Sequence, residues 1–200
     1  MGIMEIIGIA GSVSLLAGWR LYLCIFATGL AMRMNALPLP EHLAALDVLA
    51  SPWVMAIAAI AAVAEFFADK VMWLDSIWDA VHTFVRPIGG ALLALAIVDP
   101  SDPATQVIAF LLGGGASFAA HAGKAGARGV VNASPEPVSN VAVSTAEDVA
   151  TVGLLYLAYE YPLVAAGIAL VLTVLTIWLL VLARRMIGKL FGIRKQSPPG

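Results

Sequence analysis

Asp75, Asp79, His82 and Arg86 recur at steps of four, three and four, so on a helix they form one polar stripe. His121, Lys124 and Arg128 step by three and four and share a face in the same way. Three donors at that spacing suit an anion or a group of carboxylates. The matching acids are Glu65 and Asp69, four apart, and the adjacent Glu147 and Asp148. Arg20 stands inside an apolar stretch close to Gly18, where an arginine needs a partner, and Glu147 and Glu65 are the natural ones. The chemistry open to such groups is narrow. The bases Arg20, His82, Arg86, His121, Lys124 and Arg128 would bind a substrate or line a pore, steering an anionic group. The acids Glu65, Asp69, Asp79, Glu147 and Asp148 would gate by pairing with them, or carry protons. The bland alternative is a set of solvated helix faces, with Lys124 and Arg128 snorkelling to an interface. Asp75 reads better as an acid in the first turn of its helix.

The elements that must position these groups are membrane spans. The chain has 200 residues, of which 61% are hydrophobic and 12% charged, with a mean hydropathy of +0.94. Soluble domains run about 45–50% apolar and about 25% charged, so an ordinary globular domain is excluded. A span takes roughly 20 apolar residues, which leaves room for about six spans and none for a catalytic domain outside the bilayer. Hydropathy and breakers place the spans near 3–32, 52–69, 77–98, 104–130, 137–159 and 162–183, with a short interfacial helix over 43–49. The expected fold is an all-α polytopic membrane protein: a single transmembrane domain over 1–188 and a basic tail over 189–200. Arg184, Arg185, Lys189, Arg194 and Lys195 crowd that end of the chain. The positive-inside rule puts the tail in the cytoplasm, and an even number of spans brings the N-terminus there too. Trp53, Trp73, Tyr159 and Tyr161 fall near span ends, as an interfacial belt would. Cys24 is the single cysteine and lies in an apolar run, so no internal disulfide framework or thiolate metal cluster is expected.

The chain also repeats itself weakly. Ala17-Gly18-Trp19-Arg20 parallels Ala125-Gly126-Ala127-Arg128, and Ser51-Pro52 precedes Ala64-Glu65 much as Ser134-Pro135 precedes Ala146-Glu147. Two inverted three-helix repeats, 3–98 and 104–187, would place a polar site near the midplane at broken helices. Short matches also arise by chance in a chain rich in Ala and Gly. Pro87 with Gly89 and Gly90 is expected to break or kink the third span, and Gly123, Gly126 and Gly129 to loosen the fourth.

Taken together, Gly18-x-Arg20, Glu65-Phe-Phe-Ala-Asp69-Lys70, the run from Asp75 through His82-Thr-Phe-Val-Arg86-Pro87, His121-Ala-Gly-Lys124-Ala-Gly-Ala-Arg128 and Ser134-Pro135-Glu136-Pro137-x-Ser139-Asn140 resemble an uncharacterised bacterial inner-membrane family, a domain of unknown function. The resemblance implies a compact membrane domain and no particular activity. Trp19 and Leu21 depart from the smaller residues expected around Arg20.

Enzyme motifs are missing: no Gly-rich loop after a strand, no nucleophile elbow and no His-Glu-x-x-His zinc pattern. The leading expectation is therefore a small inner-membrane transporter or channel, for an anionic solute or coupled to protons. The alternatives are an assembly protein locked by buried ion pairs, and a metal-binding or lipid-modifying membrane enzyme using Asp75, Asp79 and His82 with Glu65 or Asp69. No cofactor and no nucleic acid is expected. The lipid bilayer, a small anionic solute and a second copy, as a homodimer through small-residue faces, are the expected partners.

Overall fold

The computed structural model describes residues 3–35, 41–98, 101–131 and 137–190. Every regular element among them is helical: α1 (Ile3–Arg33), a 3-10 helix (Glu41–Ala50), α2 (Pro52–Ala68), α3 (Met72–Ile97), α4 (Pro103–Val131), α5 (Pro137–Glu160) and α6 (Pro162–Leu190). Proline opens four of these helices, where its fixed φ suits the first turn and its missing N–H would have had no partner. Helices form at all six places where spans were expected, with small shifts. α3 starts at Met72 rather than at 77 and carries Asp75 in its first turn. α6 continues through Lys189 to Leu190, so the expected tail boundary falls inside a helix. The rest of the tail, 191–200, and the Ser134-Pro135-Glu136 stretch lie outside the described residues. By length and apolar content, α1, α3, α4 and α5 each contain a segment able to cross a membrane, while α2 and the start of α6 are shorter apolar helices.

α1 does not run straight. Its helical geometry is interrupted at Arg20, with φ −145° and ψ 71°. In an unbroken helix Gly8 and Thr28 would stand about 30 Å apart, at roughly 1.5 Å per residue. Here Gly8 lies against Pro162, and Thr28 Oγ1 shares a 3.2 Å hydrogen bond with the Tyr159 hydroxyl, so both ends meet the junction of α5 and α6. α1 is thus a V of two helical arms with Arg20 at the apex. The first arm lies along the start of α6, and the second packs on α2 with Gly29 close to Leu49 and Met55. α3 and α5 run away from the apex, while α2 and α4 run toward it. The break in α1 falls where none was expected. The breaks expected in the third and fourth spans are not seen: α3 continues through Pro87, and α4 through its glycines to Val131.

Small residues set how closely these helices approach. A β-carbon at Gly18 would collide with the Ser117 carbonyl and with Ala120, so only glycine lets the first arm touch α4 just before the apex. Ser14 Oγ donates to the Gly90 carbonyl at 3.0 Å and Ser117 Oγ to the Arg86 carbonyl at 2.8 Å, cross-linking α1, α3 and α4. Around this core the usual pattern of a soluble protein is inverted. Ile57, Ile60, Phe84, Leu92, Leu111 and Leu170 are exposed, whereas Arg20, Arg86 and Arg128 are among the most completely buried side chains. Hydrocarbon solvent explains both: it welcomes the outer apolar faces and drives charges inward to find partners.

Candidate functional site: a buried charge network

The apex of α1, the C-terminal end of α2 and the C-terminal half of α4 bring together the first group of charges, with α5 closing it. Asp69, fully buried just past α2, gathers three cations on one oxygen. Arg20 pairs with its Oδ2, Lys124 Nζ lies 3.1 Å from the same oxygen, and Arg128 Nη2 lies 3.5 Å away. Arg128 Nη1 also donates to the Asp69 carbonyl at 3.0 Å. Glu147 Oε2 takes a second share of the same cations, at 2.9 Å from Arg128, 3.3 Å from Arg20 and 3.7 Å from Lys124. Asp148 Oδ1 stands 3.0 Å from Arg20 Nε, and Arg20 Nη2 donates to both the carbonyl and the hydroxyl of Ser144 at 3.1 Å. The break in α1 is part of this arrangement. It turns the Trp19 carbonyl out of the helical ladder, and Lys124 Nζ takes it up at 3.2 Å.

Arg86 organises the second group. Its Nη2 reaches Glu65 Oε1 at 2.5 Å, and its Nη1 reaches Asp79 Oδ1 at 3.3 Å and His121 Nδ1 at 2.7 Å. A guanidinium only donates, so His121 Nδ1 is the acceptor and the ring is neutral with its proton on Nε2. That proton points to the Asp79 carbonyl and the Thr83 hydroxyl, each at 3.1 Å. Protonating His121 would set a second cation against Arg86, so this ring is a spacer that holds Arg86 in place.

Most of the charged residues singled out in the sequence meet in these two groups, and the structure departs from the sequence expectations at three points. Of the two partners expected for Arg20, Glu147 is one and Glu65 is not: Arg20 pairs with Asp69, Glu147 and Asp148, and Glu65 belongs to Arg86. His82 shares the stripe but not the network. Its Nδ1 is 2.7 Å from the Trp78 carbonyl, its Nε2 is 3.0 Å from the Tyr22 hydroxyl, and its ring stacks on Trp78. The snorkelling alternative for Lys124 and Arg128 fails, because both are buried and ion-paired. Ser144 and the Trp19 carbonyl were missed: neither carries a charge, and only the meeting of α1, α4 and α5 reveals them.

Two openings touch the network from different sides. A polar cavity of about 300 Å³ lies between α3 and α4, lined by Asp75, Asp79 and Thr83 on one side and Ala125 and Arg128 on the other. A larger groove of about 660 Å³ runs between the second arm of α1, α2 and α5. Its walls are apolar, with Leu23, Val63 and Val149 among them, and Arg20, Glu65 and Asp148 stand within it. Arg86 connects the two, bonding Asp79 in the cavity and Glu65 in the groove. Arg128 and Arg20 connect them again through Asp69. Among the described residues, no group of three or more His, Cys, Asp and Glu side chains converges as a metal's ligand set. Asp79 and Glu65, which the metal reading would use, both bond Arg86 instead.

Apolar outer faces around a buried, ion-paired centre define a helical protein of membrane type. Residues 7–182 match one family model, and the chain belongs to that family, described as Domain of unknown function (DUF4126). No curated protein and no solved structure matches the chain.

Proposed function

We propose that the protein is a small membrane transporter in which the charge network is the gate between the two openings and proton uptake loosens it. The observation that carries this reading is the position of the network: one set of ion pairs supplies lining residues to both the polar cavity and the apolar groove. Opening a path then requires exchange of ion-pair partners rather than unfolding of a helix. Among the described residues every buried cation is already engaged, so an incoming anion must displace a carboxylate or arrive as one is neutralised. Glu147 and Asp148, at 18% and 23% side-chain exposure, are more open than Asp69 and Glu65 and are the carboxylates a proton reaches first. Neutralising Asp148, whose Oδ1 stands 3.0 Å from Arg20 Nε, would free that edge of Arg20 for an anionic solute, so the proton-coupled and anion readings become one cycle. The V of α1 supports this reading as well. Broken helices place backbone and side-chain groups at a central site in many transporters. Arg20 and Arg128, the equivalent residues of the proposed repeat, converge on the same Asp69 and Glu147.

Proton movement into proteoliposomes, followed with an interior pH dye under an imposed potassium diffusion potential, tests the proposal. Arg20→Gln and Arg128→Gln are each expected to abolish the flux without loss of fold, because Asp69 keeps two of its three cations in either variant. Normal flux in both would sink the reading. The rival is an assembly role in which the ion pairs only lock helices, favoured by the full engagement of every buried cation. It requires the same variants to lose melting temperature and expression, with no wild-type flux to abolish.

A further inference from the structure

The groove differs from the cavity in a way that bears on what the site takes. Water-soluble ions are served by polar walls, but Leu23, Phe26, Ala62, Val63, Val149 and Val152 make this groove apolar along its length. Val63, Val149 and Val152 stay exposed on its rims, on faces that elsewhere in the molecule meet hydrocarbon. Its charged end offers one guanidinium, Arg20, and two carboxylates, Glu65 and Asp148. Arg20 is buried to 1% exposure with its Nε 3.0 Å from Asp148 Oδ1, while Asp148 Oδ2 is buried without a hydrogen-bond donor. A volume of about 660 Å³ lies inside the roughly 300–1,000 Å³ range of small-ligand sites.

We propose that this groove receives a zwitterionic membrane lipid with a primary-amine head group, which reaches it sideways from the bilayer. One acyl chain lies along the apolar walls, the phosphate takes the place of Asp148 at Arg20 Nε, and the ammonium meets the Asp148 carboxylate so released. Charge complementarity selects this occupant. A purely anionic head group would leave two carboxylates facing a negative charge, and a second copy of the chain would have to offer both signs at the end of an apolar insertion. The proposal rests on the transporter reading for its role, since it names the substrate class of the same gate, but lipid binding itself is measurable without transport.

The test is native mass spectrometry of the detergent-purified full chain titrated with dioleoyl-phosphatidylethanolamine, dioleoyl-phosphatidylglycerol or dioleoyl-phosphatidylcholine. The expected result is retention of the ethanolamine lipid about tenfold better than the glycerol lipid, a modest free-energy difference. The choline lipid falls between, because its head group is cationic but donates no N–H. Ala62→Trp, which fills the groove from α2 without touching an ion pair, is expected to remove the bound lipid. Asp148→Asn is expected to remove the preference for the amine. Equal or better retention of the glycerol lipid would overturn the proposal, as would retention unaffected by Ala62→Trp, or a dimer that dissociates on that substitution. Lipid binding as expected with no proton flux in proteoliposomes would defeat the transporter reading alone; flux without selective binding would defeat this proposal alone.

Discussion

Asp69→Asn is expected to be the most damaging conservative substitution in the network, lowering stability by about 3–5 kcal/mol, the range for breaking a buried ion pair by removing one partner. Arg20, Lys124 and Arg128 all bear on Asp69 Oδ2. An amide has the right shape but carries no charge, so three buried cations would be left to Glu147 and Asp148. Those two carboxylates are more exposed than Asp69, and Arg20 already uses both. Thermal unfolding of the detergent-purified protein measures the effect. Glu147→Gln should lower the melting temperature less, because Asp69 still holds the same three cations. Adding Lys124→Met to Asp69→Asn should recover part of the loss, since it removes one stranded charge and leaves an apolar chain of similar length. An unchanged melting temperature in Asp69→Asn would show that the cations are not held by this residue.

The V of α1 makes an all-or-none statement about sidedness. If the apex points into the membrane, both arms begin and end at the same face, and only the five helices after α1 cross. The N-terminus then lies on the face opposite the C-terminus, where the sequence expectation had both in the cytoplasm. The remaining charges fit this arrangement. Lys70 and Arg128 sit toward the apex end, while Glu5, Asp102 and Glu160 sit toward the other end, with Arg33 as the exception there. In a Cys24→Ala background, Met4→Cys and Asp102→Cys should react with a membrane-impermeant maleimide from one face, and Lys70→Cys from the other. Labelling of Met4→Cys and Lys70→Cys from the same face would mean that α1 crosses the bilayer.

Much of this is legible in the amino-acid sequence, for definite physical reasons. Apolar runs and the prolines at 52, 103, 137 and 162 carry helix positions locally, so all six helices fall where hydropathy puts them. The spacing of Asp79 and Arg86, and of His121, Lys124 and Arg128, carries the shared faces for the same reason. The break at Arg20 was not readable. Gly18 hints at weakness, but a glycine also serves close packing, and here it does so against Ser117. What bends the chain is tertiary: acids on α2 and α5 that draw Arg20, and Lys124 on α4 that takes the Trp19 carbonyl. Asp69 illustrates the same limit. Its sequence neighbours mark it as half of an i,i+4 acidic pair with Glu65, yet the two acids serve different arginines, a division set by where α3 and α4 meet α2. His82 shows the converse: perfect spacing placed it in the seam, and Trp78 and Tyr22 take it out.

The central claim is that a carboxylate in this network takes up a proton and releases its bases. Infrared difference spectroscopy on the protein in lipid reads this directly, since a protonated carboxyl group absorbs apart from a carboxylate. Between alkaline and mildly acidic pH, the expected result is a new protonated-carboxyl band that vanishes in Asp148→Asn and is accompanied by a change in the guanidinium bands of arginine. A network in which every buried carboxylate stays ionised across that range, with the arginine bands unmoved, would contradict it.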